Sequence, residues 1–199
     1  MRARHRTAIS ALFLLVLAIA APAQELSLSV AAGSFRASET TYREIYGAGT
    51  PFAADIWLKL KGPLGLAAGF GRLSDKGTAL PLGEGDVEYL VKFVRTSIPV
   101  TIFYQFDIKA IDFRVGAGLG FHSYKENWET VSLSYKGHKI SPRFYAAVAF
   151  AVLPRLSLFG SVTYDTIPTG AGSLAASDVN LGGLQLLGGL AVRIFQEVP

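Results

Sequence analysis

The sequence contains no cysteine, which excludes disulfides, thiolate chemistry and anchoring through a lipidated cysteine. Charge is scarce: Asp, Glu, Lys and Arg make up 17% of the 199 residues, against roughly a quarter in soluble domains. Long apolar runs are missing as well. The densest apolar stretch after the N-terminus, Phe144 to Pro154 (FYAAVAFAVLP), falls short of the ~20 residues a spanning helix needs. A helical membrane protein is therefore disfavoured, although half of the residues are hydrophobic and the mean hydropathy is +0.35. What the chain has in quantity is glycine, 21 residues, and alternation.

The N-terminus stands apart. Arg2, Arg4 and Arg6 precede the apolar run Ile9 to Ala20, and Ala21-Pro22-Ala23 forms a small-x-small site before Gln24. This is the layout of a secretory signal peptide. It predicts a leader over residues 1–23 and one domain over residues 24–199. The formal charge of +4 falls to about +1 once the three leader arginines are removed. The sequence pI of 9.4 is thus largely a property of the leader, and it gives no reason to expect nucleic acid as a partner.

Alternation is clearest from Ile111 to Tyr124 (IDFRVGAGLGFHSY). Ile111, Phe113, Val115, Ala117, Leu119 and Phe121 fall on one face, and Asp112, Arg114, Gly116, Gly118, Gly120 and His122 on the other. A strand of this length crosses a bilayer at a tilt. Alternation and turn signals divide the remaining chain likewise, predicting eight strands near residues 25–35, 53–61, 64–72, 87–106, 111–124, 139–152, 156–166 and 181–195. The connections at 61–63, 107–110 and 153–155 are tight. Those at 36–52, 73–86, 125–138 and 167–180 are long and polar. Short turns at one end and long loops at the other are the pattern of an outer-membrane barrel with periplasmic turns, and an even strand number puts both termini on the turn side.

Orientation follows from volume. A soluble eight-stranded barrel would put its apolar side chains inside. Here the large aliphatics share one face and the glycines and charges share the other, and an eight-stranded cylinder has no room for all the aliphatics. The predicted fold is all-β, an eight-stranded antiparallel up-and-down transmembrane barrel with its apolar face outward. The predicted lipid-facing residues are Ile56, Leu58, Val100, Ile102, Phe113, Val115, Leu119, Phe121, Val148, Phe150, Leu158, Val162, Leu186, Leu190 and Val192. The predicted lumen network is Asp55, Lys59, Arg95, Asp112, Arg114, His122, Arg143, Asp165 and Arg193, with mixed signs so that buried charges find partners. Turn arithmetic places Val152 opposite Leu156 and Arg143 opposite Asp165. It likewise places Gln105 opposite Asp112, Arg95 opposite His122, Trp57 opposite Ala67 and Asp55 opposite Gly69. A one-residue slip would move every side chain to the other face. Tyr42, Tyr46, Tyr124, Trp128, Tyr135 and Tyr164 are expected at one membrane interface, and Tyr104, Phe106 and Phe113 at the other.

Signals of chemistry are thin. Gly116-x-Gly118-x-Gly120 does not fit the dinucleotide-binding spacing and no helix follows it. It reads as small residues making room for long charged ones. His122 and Ser123 are adjacent and point to opposite faces, so they form no nucleophile–base pair. His122 reads as a lumen histidine near Arg95. Asp75, Glu84, Asp86 and Glu88 read as an ordinary solvated loop, and Glu126 and Glu129 as surface charge around Trp128. No catalytic, cofactor or metal site is expected.

Ile98-Pro99-Val100 with Tyr104-x-Phe106, then Val115-Gly116-Ala117-Gly118-Leu119-Gly120-Phe121, resemble the strands flanking a periplasmic turn in the small eight-stranded outer-membrane barrel proteins of the OmpA/OmpX/OmpW-like superfamily. The last strand, Gly188 to Phe195 (GGLAVRIF), resembles their C-terminal signal for the barrel-assembly machinery, although Phe195 is followed by Gln196-Glu197-Val198-Pro199 where members commonly finish on an aromatic residue. The resemblance implies the bacterial outer membrane, contact with outer-membrane lipid and the assembly machinery as a partner during insertion. The expected role is non-enzymatic, structural or surface-interacting, with long extracellular loops over a packed polar lumen and an extracellular partner that the sequence does not identify. Passive passage of small apolar solutes is the alternative that OmpW-like members suggest, and it requires an apolar upper lumen with a lateral opening. A lipid-modifying enzyme is the third reading, and the His-x-Ser arrangement it requires is absent.

Overall fold

A computed structural model describes residues 23–79, 88–168 and 180–196. Eight strands, β1 (Ala23–Ala37), β2 (Phe52–Leu60), β3 (Leu64–Ala79), β4 (Tyr89–Ile108), β5 (Ile111–Trp128), β6 (Leu133–Leu153), β7 (Leu156–Asp165) and β8 (Gly183–Gln196), each pair antiparallel with the next. β8 pairs with β1, which closes the barrel. The fold class is the one the alternation predicts. β1 opens at Ala23, and the expected leader lies outside the described residues. The end with the short turns, where β1 begins and β8 ends, is the lower end, and the other is the upper.

The upper end departs from expectation. Most of the region expected as a long loop over residues 125–138 is ladder, paired as far as Trp128 opposite Leu133. β3 likewise continues past Arg72 to Ala79. The polar composition that suggests a loop is instead the exposed outer face of a strand. Lys125 and Asn127 point out while Tyr124 and Glu126 point in, and only the inner side is buried. The connection between β1 and β2 contains a helix, α1 (Thr40–Tyr46), which alternation does not reveal. Seven residues are too few for a stable isolated helix, and α1 is held by the burial of Tyr42 and Tyr46, one turn apart on its inner face.

The lower turns set the register. Ile108 pairs with Ile111 around a two-residue turn of Lys109 and Ala110, with Lys109 at φ 57°. The turn is tighter than expected, so the partners shift by two residues while the faces are kept. Gln105 meets Arg114, Ser97 meets His122 and Arg95 meets Tyr124, in place of the expected Gln105–Asp112 and Arg95–His122 pairs. Arg143 opposite Asp165, Trp57 opposite Ala67 and Asp55 opposite Gly69 are as expected. A register shift lies between Ala151 and Leu153, and Leu156 faces Leu153 instead of Val152.

The outer face is an aliphatic band. Ile56, Val100, Ile102, Val115, Leu119, Phe121, Val148, Phe150, Leu158, Val162, Leu186, Leu190 and Val192 are all exposed. Phe113 is half-buried and stacks on Phe106, ring centroids 5.1 Å apart. Leu58 departs from its expected exposure. It lies on the outward face by alternation, but its cross-strand partners are Leu26 on one side and Leu66 on the other, and it is buried. Tyr104, Phe106 and Tyr164 are exposed near strand ends. Tyr42, Tyr46 and Tyr124 are not interfacial, because they are buried inside the barrel.

Candidate functional site: the closed lumen

The interior is filled in two layers. In the lower one, Trp57 is buried among Ala31, Ala53, Phe159, Leu187 and Ala191. Its ring meets Phe103, Tyr145 and Phe159 at centroid distances of 6.0, 5.6 and 5.7 Å. Its indole N–H donates to Ser29 Oγ at 2.9 Å. The Arg114 guanidinium lies 4.0 Å above the Trp57 ring and donates from Nε to Gln105 Oε1 at 3.0 Å. Such volume fits because glycines face it: a Cβ on Gly65 would collide with Cζ of Phe103. Below this layer, Lys59 pairs with Asp107 at 2.8 Å and Arg193 with Glu25 at 3.1 Å. Asp112 lies 3.9 Å from Arg114.

Midway up, Arg143 pairs with Asp165 at 3.0 Å. His122 is buried between Ser97 and Ser141, each hydroxyl 2.8 Å from one ring nitrogen. A neutral imidazole satisfies both, donating through one nitrogen and accepting through the other. Gly120 leaves space for this ring, since a Cβ there would collide with His122 Nε2. Asp55 and Arg143 both line two cavities of ≈ 20 Å³ each. Each has space for about one water, so neither amounts to a channel.

The upper layer is apolar and aromatic. Phe35, Leu73, Val91, Phe93, Tyr124, Ile167 and Leu181 pack together, and α1 lowers Tyr42 and Tyr46 into them. Phe93 meets Tyr42 edge-on at 5.2 Å and Tyr46 at 5.7 Å. Buried Arg95 lies 4.4 Å above the Phe35 ring and donates to the Leu181 carbonyl at 2.6 Å. Tyr42 donates to Asp75 Oδ2 at 2.7 Å, and Tyr46 donates to Glu126 Oε1. Burial, reinforced by the neighbouring carboxylates, pushes both tyrosine hydroxyls well above the usual tyrosine range. They stay protonated donors under ordinary conditions.

The predicted lumen residues thus separate into small groups. Asp112 joins Arg114, Lys59 joins Asp107, Arg143 joins Asp165 and Arg193 joins Glu25, while His122 belongs with two serines and Arg95 with a ring and a carbonyl. The lumen is less polar than expected, because charge pairs alternate with aromatic packing. Asp75 and Glu126, read from sequence as solvated, are buried acceptors for Tyr42 and Tyr46 of α1. Glu84 and Asp86 lie outside the described residues. Two signals point to this contact: tyrosines four apart in the 36–52 segment, and the inward parity of Glu126, which continues that of Arg114 and His122 along β5.

The chemistry open to this interior is limited. Ser97, His122 and Ser141 place hydroxyls on an imidazole, but among the described residues no carboxylate bonds to the set, and all three are buried on the face away from the aliphatic band. Among the described residues no group of three metal-ligating side chains occurs.

No family model matches the chain and no curated protein is significantly similar to it. Solved structures do match. Neisserial surface protein A is 18% identical with a TM-score of 0.62, covering 84% of this chain and 96% of that one. Ail, the attachment invasion locus protein of Yersinia pestis, solved with the heparin analogue sucrose octasulfate, is 16% identical with a TM-score of 0.58, covering 85% and 98%. A major outer membrane protein from Thermus thermophilus is 15% identical with a TM-score of 0.58, covering 85% and 98%. The chain therefore has the fold of the small outer-membrane β-barrels.

Proposed function

We propose that this protein is a closed outer-membrane barrel with a non-enzymatic, structural or surface-interacting role. The observation that carries the reading is an exposed aliphatic band around an interior filled from turn to mouth. Water would strongly disfavour so continuous an apolar girdle, whereas lipid accommodates it. The upper parts of β3 to β6 project beyond the band as a polar-faced sheet, and this is the part available to meet an extracellular partner. Residues 1–23 act as the export leader in this reading. The last strand, which carries exposed Phe195 one residue before its end at Gln196, is what the assembly machinery reads. The expected lumen residues serve as internal struts. Cell fractionation with gel migration of unboiled and boiled samples tests it. A heat-modifiable band in the outer-membrane fraction is expected, and a soluble periplasmic protein of unchanged mobility would overturn it.

Passive passage of small apolar solutes is a second reading, because the upper lumen is apolar, as that role requires. It is weakened by the aromatic packing that fills this layer and by the Tyr42 and Tyr46 bonds across it. Planar-bilayer recording separates the two: the closed barrel leaves conductance at that of the empty bilayer. Catalysis on lipid finds no support in the buried Ser97–His122–Ser141 group.

A further inference from the structure

Above the aliphatic band, the outward face of β3 to β6 carries a field of positive charge. Arg72, Lys76, Lys125 and Lys136 are exposed and Lys92 is half-buried, with exposed His138 beside them. The register makes the field continuous. Arg72 faces Thr96, Thr96 faces Ser123 and Ser123 faces His138. One step higher, Ser74 faces Val94, Val94 faces Lys125 and Lys125 faces Lys136. Higher still, Lys76 faces Lys92.

Two of these contacts set lysine directly opposite lysine, an arrangement that destabilises an antiparallel pair. Among the described residues no ion pair relieves it. Among the described residues, the outward positions of these four strands include no Asp or Glu, and none of the five Lys and Arg residues makes an ion pair. The other half of the barrel differs: on the outward face of the upper parts of β7, β8, β1 and β2, Arg36 is the only basic residue described. Immediately below the field runs the exposed apolar row Ile98, Phe121 and Ile140. Two residues along a strand advance roughly 7 Å, so the positive charge begins where the apolar band ends.

We propose that this face of β3 to β6 is a binding surface for phosphate-bearing lipid headgroups of the leaflet that the long strands enter. The proposal rests on the reading that the aliphatic band sits in a bilayer. Lysine serves as a point charge for phosphate. A phosphate seated between Lys125 and Lys136, or between Lys76 and Lys92, turns a repulsive cross-strand pair into two attractive contacts. The one-sided distribution makes the lipid ring asymmetric, with anionic lipid gathered against one half of the barrel.

The test uses the full mature chain in phosphatidylcholine nanodiscs with or without phosphatidic acid, followed by amide NMR shifts. With phosphatidic acid, saturable shifts confined to the upper outward residues of β3 to β6 are expected. They should weaken with added salt. The K76Q/K92Q/K125Q/K136Q variant should need about tenfold or more phosphatidic acid for the same shift, while K125R/K136R keeps the response. Equal shifts around all eight strands, or an unchanged response in the Gln variant, would overturn the proposal. So would an equal response to soluble sucrose octasulfate or inorganic phosphate in pure phosphatidylcholine discs, because the ligand would then be a soluble polyanion. A chain that fails to enter phosphatidylcholine discs in a heat-modifiable form overturns the membrane reading itself and the proposal with it.

Discussion

The two interior layers share one unit and close the barrel by different means. Below, Arg114 stacks on Trp57; above, Arg95 stacks on Phe35. The lower ring is surrounded by side chains that all come from strands, so its closure is part of the sheet and cannot be withdrawn without unfolding the barrel. The upper layer is completed by a helix borne on a loop, whose seven residues are held by two tyrosines and two carboxylates. Closure is therefore intrinsic below and removable above. A barrel built this way is expected to hold its lower packing as firmly as the sheet itself and to release the helix-borne layer, its cap, more easily.

The sharpest way to break the comparison is to remove one anchor from each layer. Trp57→Ala deletes a buried ring and leaves Arg114 without its stacking partner. A loss of about 3–5 kcal/mol is expected, read as a lower denaturant midpoint for the heat-modifiable band. The double variant Y42A/Y46A should leave that midpoint nearly in place and instead make the 38–51 connection susceptible to protease. If both variants shift the global midpoint alike, the cap is not a separate unit.

Arg143 and Asp165 pair between the layers. Arg143→Met strands a buried carboxylate, at an expected cost of about 3 kcal/mol. Replacing both partners, as in R143M/D165L, should recover most of the loss, because two apolar side chains need no counter-charge. Unfolding of the double variant in the same bilayer provides the check.

A milder change isolates the cap's hydrogen bonds from its packing. Y42F/Y46F keeps the rings and removes both donors, leaving Asp75 and Glu126 short of a partner. About 1–2 kcal/mol per bond is expected, confined to protection of α1. Alkali makes the same point without mutation. Both hydroxyls are held above the ordinary tyrosine value of 10.0, so the folded cap binds its protons more tightly than the released cap does. Its docking is complete below about pH 10 and is lost as pH rises beyond that. Tyrosinate absorbance should therefore appear together with protease cleavage of the loop. Ionisation with the loop still protected would place the two hydroxyls in water.

The sequence revealed the lower layer far better than the upper. Alternation specified all eight strands, and the short turns fixed the Trp57–Ala67 and Arg143–Asp165 pairs, because a side-chain period of two leaves few choices once the turn is tight. It failed where the turn was shorter than its polar composition suggested. Lys109 and Ala110 alone make the β4–β5 turn, and His122 consequently meets Ser97 in place of Arg95. The cap was illegible for another reason. A helix of about two turns carries no period long enough to register, and Asp75 and Glu126 look solvated until the sheet is extended past the membrane. Polar residues on the outer face of an extended strand resemble a loop, since both meet water.

The smallest expected effect returns to the lower end. Lys109 holds a φ of 57° in the β4–β5 turn, a region that a side chain disfavours and glycine adopts freely. Lys109→Gly relieves that strain but loosens the unfolded chain, so a net stabilisation of about 0.5–1 kcal/mol is expected. Because this turn belongs to the layer closed by the sheet, the gain should appear in the global unfolding midpoint and leave protease protection of α1 unchanged. A change in cap protection would mean that strain at the turn reaches the mouth through β4, whose inward residues Arg95 and Phe93 end in the upper layer, and the two closures would then be one cooperative unit.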